Sequence, residues 1–311
     1  MRVVALVPGG VGDQILFFPT LDDLKRNYPD AEIDVVVEPR SKSVYRLSKS
    51  VSDVIPFDFK DRNSPADWAN LLGIMRDRDY EAVLTLNRGW GTGLLLWLSG
   101  IETRVGFDNS GGSGFLTNKV PFKNDQYAAR KYHDLLQGFG ISSPCPPPSI
   151  TVPRSELDWA EMEQKRLGVS SYVMIYPGSS PSGSYPVESW QRIVQDFLQK
   201  QPDLTLVVAQ DENNSELVAQ LTQACPTLKV TKPGDIGRLA AMIAGATLMI
   251  CPESDAMQLA IALQVFTLAM FGSNDPAKLL PQSDKFLGIQ SPTGKLADIT
   301  PDQVLTKVWG G

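Results

Sequence analysis

The chain has 311 residues, of which 42% are hydrophobic, and its formal net charge is −6. This length is long for one core and fits two domains of ordinary size, and the apolar fraction is too high for a disordered protein. The negative charge argues against a general affinity for nucleic acid, which needs clustered lysine and arginine.

Cysteine and histidine are scarce. The three cysteines are far apart and there is one histidine, so neither a disulfide framework nor a Cys/His zinc site is indicated. No apolar stretch approaches the roughly 20 residues that span a membrane, and the N-terminal apolar run is too short for a signal peptide. These features predict a soluble cytoplasmic protein and leave peripheral contact with a membrane open.

The first half of the chain alternates apolar runs with helical patterns. Strands are predicted at Val3–Val7, Ile33–Val37 and Ala82–Leu86, and "TLDDLKRNYP" and "ADWANLLGIMRDRDY" are predicted helices. Parallel strands need crossover connections, so this alternation indicates a parallel sheet covered by helices. The first domain is predicted to span residues 1–153.

A proline-rich stretch marks the predicted domain boundary, because four prolines lie between Pro144 and Pro148 and the periodicity stops there. In the second domain, residues 154–311, the five segments "YVMIY", "LTLVVA", "LKVT", "TLMICP" and "FTLAMF" are predicted strands with helices between them. That pattern is typical of a doubly wound sheet. The predicted fold class is therefore α/β, with two Rossmann-like doubly wound domains facing across a cleft.

The first strand runs into the glycine loop "PGGVGDQ". A dinucleotide fingerprint would need a third glycine after Gly10 and Gly12, and here Asp13 occupies the helix start where a pyrophosphate would lie. Glu38, after the second strand, resembles the ribose-binding acid of such folds, so a nicotinamide-dependent oxidoreductase remains an alternative. Asp13 is also a plausible N-cap of the helix.

Four blocks of the sequence resemble glycosyltransferase family 9, the lipopolysaccharide heptosyltransferases, and they occur in the family's order. They are "GDQILFFPTLDDLKRNYPDAEIDVVV", "LSGIETRVGFD", "YPGSSPSGSYPVESWQRIV" and "ESDAMQLAIALQVFTLAMFGSNDP". The resemblance implies the GT-B arrangement, with the acceptor mainly against the N-terminal domain. It also implies that a nucleotide sugar, with ADP-sugar favoured, binds the C-terminal domain as co-substrate, without a cofactor or a metal.

On this resemblance Asp13 matches the family's catalytic aspartate. An inverting transfer needs a base within hydrogen-bond reach of the acceptor hydroxyl, and Gly10 and Gly12 add no side-chain bulk around it. The implied activity moves a heptose-like sugar from a nucleotide diphosphate sugar to a glycan or lipopolysaccharide-type acceptor of a bacterial cell envelope. The implied location is the cytoplasm, with peripheral contact at the inner membrane allowed.

Two loops of the second domain are predicted to hold the leaving diphosphate through backbone N–H groups, helix dipoles and hydroxyl groups. The predicted donor-side residues lie in or beside the carboxyl ends of the strands: Ser179, Ser180, Ser182, Asp211, Ser254, Asp255, Met257 and Gln258. Asp211 resembles the acid that the family places against the donor ribose, and it is equally a plausible helix start. The serines are equally plausible as loop formers.

On the first domain, Arg88 and Trp90 in "NRGWGTG" are predicted to form an acceptor-side platform on which a sugar stacks, with a plain loop as the alternative. The segment "GLLLWLSG" that follows is predicted to be a buried helix rather than a membrane contact. His133 is predicted to lie on an ordinary charged surface helix, with contact to an anionic acceptor as the alternative.

Three positions depart from the family pattern. The block usually written Asp-(Ser/Thr)-Gly-x-x-His reads "ESDAMQ", which puts Asp255 where the diphosphate approaches and replaces the histidine with Gln258. Gly183 or Ser184 stands where the family has a lysine. Losing a cation or gaining an anion changes diphosphate binding by about 1–3 kcal/mol each. The alternative is a non-catalytic descendant that binds a glycan or a protein partner through the same cleft.

Overall fold

The structure is a computed structural model that describes residues 1–59, 63–178 and 183–310. The chain divides into two compact units, Met1–Pro148 and Ser149–Gly311, and the division falls at the end of the proline-rich stretch. Each unit contains one six-stranded sheet in which every pairing is parallel. The predicted fold class, two Rossmann-like doubly wound α/β domains, is confirmed.

The first unit has the strand order β3-β2-β1-β4-β5-β6, so the winding direction reverses between β1 and β4. Its strands are β1 (Arg2–Val7), β2 (Glu32–Val37), β3 (Asp53–Pro56), β4 (Ala82–Thr85), β5 (Thr103–Phe107) and β6 (Asn118–Val120). Its α-helices are α1 (Val11–Asn27), α2 (Pro65–Asp77), α3 (Trp90–Leu98) and α4 (Ala128–His133). Ligands of doubly wound sheets bind at such a reversal, beyond the carboxyl ends of the strands.

The second unit repeats this topology, with the order β12-β11-β10-β7-β8-β9 and the reversal between β7 and β10. Its strands are β7 (Tyr172–Ile175), β8 (Thr205–Ala209), β9 (Lys229–Thr231), β10 (Leu248–Pro252), β11 (Phe266–Phe271) and β12 (Phe286–Gln290). Its α-helices are α5 (Arg154–Leu167), α6 (Val187–Lys200), α7 (Ser215–Ala224), α8 (Ile236–Ala244), α9 (Asp255–Ala262), α10 (Pro276–Leu279) and α11 (Pro301–Trp309).

Four strands were not predicted from the sequence: β3, β5, β6 and β12. Three of them are sheet edges, and β5 lies next to an edge. Edge strands are covered on fewer sides, so their apolar pattern is interrupted. In β5, which is not an edge strand, Arg104 and Gly106 break the apolar run. The central strands β1, β2 and β4 are buried on both faces and give the continuous apolar runs that the prediction detects.

Helix α3 differs from the prediction in two respects. Gly89 is its N-cap and Trp90 its first residue, so Trp90 begins a helix rather than lying in a loop. Leu95 and Leu96 are buried, but Trp97 is 56% exposed and Leu98 is 39% exposed. The prediction of a buried helix is therefore wrong for one face. Within the described ranges, no helix is both long and apolar enough to cross a membrane.

His133 lies inside the first unit, and the prediction of a surface position is wrong for this residue. Its side chain is buried, and its Nε2 lies 2.9 Å from Oδ2 of Asp23 on α1. Burial alone would raise the pKa of Asp23, but hydrogen bonds from Ser143 and His133 and the nearby Arg26 hold it below its usual value. This buried network ties α4 to α1, and the two helices pack against each other.

Candidate functional site

Asp13 lies in the first turn of α1, directly beyond the carboxyl end of β1. Gly10 is the N-cap and Asp13 is the third helical residue, so the interpretation of Asp13 as the N-cap is wrong. The Asp13 carboxylate instead accepts a hydrogen bond from the Gly10 N–H, with 2.9 Å between Oδ2 and the nitrogen. Gly12 lies inside the helix between them. The loop therefore presents a carboxylate at the reversal of the sheet.

Gly9 fixes the position of this carboxylate, although the sequence motif indicates only Gly10 and Gly12. Its φ is +116°, a conformation that side chains other than glycine rarely adopt. A Cβ atom at Gly9 would lie 2.3 Å from Oδ2 of Asp13. Only glycine fits here, and the dipeptide Gly9-Gly10 after a buried strand was the available signal.

A buried glutamine holds the glycine loop in place. Gln14 Nε2 donates to the carbonyl oxygens of Val7 and Gly9 at 3.1 and 3.4 Å, and the Tyr45 hydroxyl donates to Gln14 Oε1 at 2.6 Å. Ser41 also donates to the Gly9 oxygen, at 2.9 Å. These contacts cross from the loop to the segment after β2, which no local sequence pattern predicts. The loop is therefore held in one conformation before any ligand binds.

Tyr132 and Arg88 complete the cluster around Asp13. The Tyr132 hydroxyl donates a hydrogen bond to Asp13, and burial together with this negative charge raises the pKa of Tyr132 while the positive charge of Arg88 lowers it. Arg88 lies over the ring of Phe122, with 4.8 Å between its Cζ atom and the ring centroid. The predicted residues Asp13 and Arg88 are thus brought together, whereas Tyr132 was not predicted. Trp90 follows Arg88 and is 61% exposed.

The hydrogen bond from Tyr132 gives a first testable prediction. The variant Tyr132→Phe keeps the ring packed against Phe17 but removes one of the donors that stabilise the ionised form of Asp13. We expect the acid limb of the pH profile of kcat/KM to move to higher pH, with a fall of about three- to tenfold at neutral pH. The matched control is Tyr28→Phe, at the C-cap of α1, the helix that carries Asp13. An unchanged pH profile for Tyr132→Phe would contradict this role.

The second unit contains a pocket of about 480 Å³ at the carboxyl ends of β7 and β8, between α8 and α9. Tyr176 lies in its wall, and Ile236, Leu239 and Leu259 supply apolar surface. Its size suits a small organic ligand. Among the described residues that line it there is no lysine, arginine or histidine, and the charged residues are Asp211, Glu212, Asp235 and Asp255.

Asp211 is held by both of its carboxylate oxygens. Oδ1 accepts from the backbone N–H groups of Asn213 and Asn214, at 2.8 and 3.0 Å, and Oδ2 accepts from the Tyr176 hydroxyl. Burial, Asp211 and the nearby Asp255 raise the pKa of Tyr176. Asn214, not Asp211, is the N-cap of α7, so the interpretation of Asp211 as the helix start is wrong by three residues. Asp211 lines the pocket as an ordered acceptor.

At the start of α9, Ser254 and the amide nitrogen of Gln258 bond to the backbone of the protein. Ser254 is the N-cap, and its hydroxyl accepts from the Met257 N–H at 3.3 Å and donates to the Pro252 oxygen at 3.0 Å. Gln258 is buried and donates to the Leu279 oxygen at 3.1 Å. Asp255 is exposed at the first helical position. Of the predicted donor-side residues on α9, only Asp255 therefore presents an exposed side chain at the helix start.

The other donor-side predictions concern the loop after β7. Ser179, Ser180 and Ser182 lie outside the described residues. Gly183 has a φ of +97°, so a lysine at this position would be strained in this backbone. Within the described ranges, no group of three His, Cys, Asp or Glu side chains is arranged to hold a metal ion.

The family model described as glycosyltransferase family 9 (heptosyltransferase) matches residues 68–308. The chain is 25% identical to the photosynthetic NDH subunit of subcomplex B 1, chloroplastic, of Arabidopsis thaliana, over 96% of this chain and 71% of that protein. It is 23% identical to lipopolysaccharide heptosyltransferase 3 of Escherichia coli, over 89% of this chain and 85% of that protein.

A solved structure, that of the Escherichia coli ADP-heptose lipopolysaccharide heptosyltransferase II, superposes with a TM-score of 0.81. The match covers 99% of this chain and 97% of that chain at 19% sequence identity. An identity this low shows the fold alone, which is the GT-B class with two Rossmann-like domains.

Proposed function

The chain belongs to glycosyltransferase family 9, and on that premise we propose that it is an inverting glycosyltransferase that works without a metal ion. It transfers a heptose-like sugar from a nucleotide diphosphate sugar, with ADP-sugar favoured, to a glycan or glycolipid of the lipopolysaccharide type. The observation that carries the proposal is the Asp13 carboxylate, which the Gly10 N–H and the Tyr132 hydroxyl hold at the carboxyl end of β1.

In the proposed step, Asp13 takes the proton of an acceptor hydroxyl while that oxygen attacks the anomeric carbon of the donor. The bond between the anomeric carbon and the phosphate oxygen breaks, and the nucleoside diphosphate leaves with the bonding electrons. The two hydrogen bonds to Asp13 orient the carboxylate, and each is donated to the ionised form that a base requires. Arg88 and Trp90 lie on the same unit and supply a cation and an exposed ring to the acceptor.

On the donor side, the pocket beside β8 supports nucleoside binding. Asp211 is ordered by three hydrogen bonds and lies at the position that the family resemblance assigns to a ribose contact. The proposed location is the cytoplasm, at the cytoplasmic face of the inner membrane.

Release of nucleoside diphosphate tests the function. The protein is incubated without metal with ADP-heptose and a lipopolysaccharide core acceptor, and then with GDP-, UDP- and CDP-sugars. If the protein transfers the sugar, we expect ADP release that requires the acceptor. The variant Asp13→Asn should release no ADP. Release that proceeds equally without acceptor, or no release from any donor, would contradict the proposal.

Asp255 gives a prediction on the donor side. Because its carboxylate is exposed at the start of α9, where diphosphate approaches in the proposed complex, Asp255→Asn is expected to bind ADP about tenfold more tightly. The matched control, Asp284→Asn, removes the same charge from an exposed position before β12. Calorimetric titration measures both. Equal affinity of Asp255→Asn and the wild type would show that Asp255 does not face the diphosphate.

A second candidate function is a non-catalytic one, in which the protein binds a glycan or a protein partner. The carboxylate-lined pocket without a described cation favours it, as does Gln258, whose side-chain N–H donates to the Leu279 oxygen. One relative is itself a subunit of a larger assembly, the chloroplast photosynthetic NDH. The ADP-release experiment separates the two functions, because a partner-binding descendant releases no nucleoside diphosphate.

A further inference from the structure

Helix α3 exposes a concentrated apolar surface. Its sequence, "WGTGLLLWL", contains no charged residue. The described part of the chain exposes six large hydrophobic side chains, and three of them, Trp90, Trp97 and Leu98, lie on this one helix. We call these three residues, together with Phe115, the aromatic patch. Clusters of this kind on a protein surface mark a contact with a partner or a membrane.

The aromatic patch is already formed in the free protein. The Phe115 ring packs against Trp90 and Trp97, with centroid distances of 6.2 and 6.4 Å. The turn that carries Phe115 packs closely against α3 where Gly112 meets Gly93. A Cβ atom at Gly93 would lie only 2.7 Å from the Gly112 Cα, so the two segments approach this closely only because both residues are glycines. Docking through the patch therefore needs little ordering of side chains.

Arginines surround the aromatic patch. Arg76 donates to the Leu98 oxygen at 2.7 Å, at the C-terminal end of α3. Arg104 donates to the Phe115 oxygen at 2.7 Å, and Arg88 precedes the N-cap of the helix. These carbonyl contacts hold the guanidinium groups in place without neutralising their charge.

The charge of the surrounding segment also contrasts with that of the whole protein. Residues 87–131 carry six lysines and arginines against three acidic residues, although the whole chain has a net charge of −6. Arg76, Arg88 and Arg104 beside exposed tryptophans complement an anionic lipid surface, where indole rings lie at headgroup depth and arginines meet phosphates.

We propose that the aromatic patch docks the protein onto the surface of a bilayer that contains anionic lipids. The proposal goes beyond sugar transfer and does not depend on it. Docking through the patch also orients the first unit. Arg88, at the edge of the patch, lowers the pKa of Tyr132 through its positive charge, and Tyr132 bonds to Asp13. A docked protein therefore holds the Asp13 loop near the headgroup layer.

Sedimentation with lipid vesicles tests the docking in the absence of any nucleotide or sugar. Vesicles of phosphatidylcholine alone are compared with vesicles that also contain phosphatidylglycerol. We expect the wild type to bind the anionic vesicles and to be released by high salt. The double variant Trp97→Ser/Leu98→Ser is expected to bind at least about tenfold more weakly. Both side chains are exposed, so the variant should fold, and circular dichroism checks that it does.

The control double variant, Met162→Ser/Phe266→Ser, removes two side chains that are 63% and 53% exposed on the second unit. It is expected to bind vesicles like the wild type. No binding of the wild type to anionic vesicles at low salt would overturn the proposal, and so would an equal loss in both double variants. A wild-type oligomer that Trp97→Ser/Leu98→Ser converts to a monomer, without vesicle binding, would assign the patch to a protein contact instead. The vesicle experiment contains no sugar donor, so a negative result there does not bear on the ADP-release test of the proposed function.

Discussion

The variant Asp13→Asn is expected to lower kcat by about a hundred- to ten-thousandfold, the usual contribution of a positioned general base. Asparagine has the shape of aspartate, and its amide oxygen still accepts from the Gly10 N–H, which Asp13 now does at 2.9 Å. It cannot take a proton from an acceptor hydroxyl. The donor pocket lies in the second unit, so the dissociation constant for the nucleoside diphosphate should stay within about twofold.

Asp30→Asn is the matched control, because it removes an exposed carboxylate of the same unit beyond the end of α1. It should keep wild-type turnover. If Asp13→Asn also keeps wild-type turnover, Asp13 is not the base. If Asp13→Asn loses donor binding at unchanged thermal stability, Asp13 belongs to the donor site and its assigned role is wrong.

The variant Gly9→Ala is expected to lower both stability and turnover. The φ of +116° costs about 1–3 kcal/mol for a residue with a side chain. The added Cβ would lie 2.3 Å from Oδ2 of Asp13, so the carboxylate must also move. Displacement of a catalytic group by about 1 Å costs about a hundredfold in rate, so we expect kcat to fall by at least that factor. Thermal unfolding and steady-state kinetics measure the two effects.

Gly73→Ala provides the comparison for this variant. Gly73 lies within α2, where an added Cβ meets nothing within 4 Å. There alanine is expected to stabilise the protein by up to about 1 kcal/mol and to leave kcat unchanged. Wild-type stability and turnover in Gly9→Ala would show that the loop tolerates another conformation, and the account of how Asp13 is positioned would then be wrong.

The central strands of the first sheet, β1, β2 and β4, could be predicted from the sequence because they are buried on both faces. Such strands are continuous apolar runs, and single-sequence reasoning detects them. The edge strands β3, β6 and β12 have mixed patterns because solvent reaches them, so they were missed. Helix α3 was predicted, but not its exposed face, because a helix that is apolar all round gives no sign of which side is buried.

The candidate site was predictable only where its residues are close in sequence. Asp13 follows the first strand within one loop, and the resemblance to a family singled it out. Tyr132, Gln14 and Tyr45 act through contacts between segments far apart in the chain, which no local spacing reveals. Gly9 depends on a backbone angle that the sequence shows only as one more glycine.

On the donor side the sequence identified the altered positions but not their consequences. Gln258 was expected to offer a hydrogen bond to a ligand, whereas its amide donates to Leu279. The missing lysine was treated as a side-chain change, whereas Gly183 has a φ of +97° that disfavours lysine. The first difference is a contact between α9 and the end of α10, which no local spacing reveals, and the second is a backbone angle that the sequence shows only as a glycine.

Calorimetric titration of the folded protein with ADP, GDP, UDP and CDP and their sugars, without metal, shows whether the protein binds a nucleotide sugar donor. We expect one of these ligands to bind with a dissociation constant of about micromolar order, with ADP and ADP-sugar favoured, and Asp13→Asn to bind it equally well. The absence of binding across the whole panel, for a protein shown to be folded, would contradict the glycosyltransferase proposal and favour the non-catalytic function.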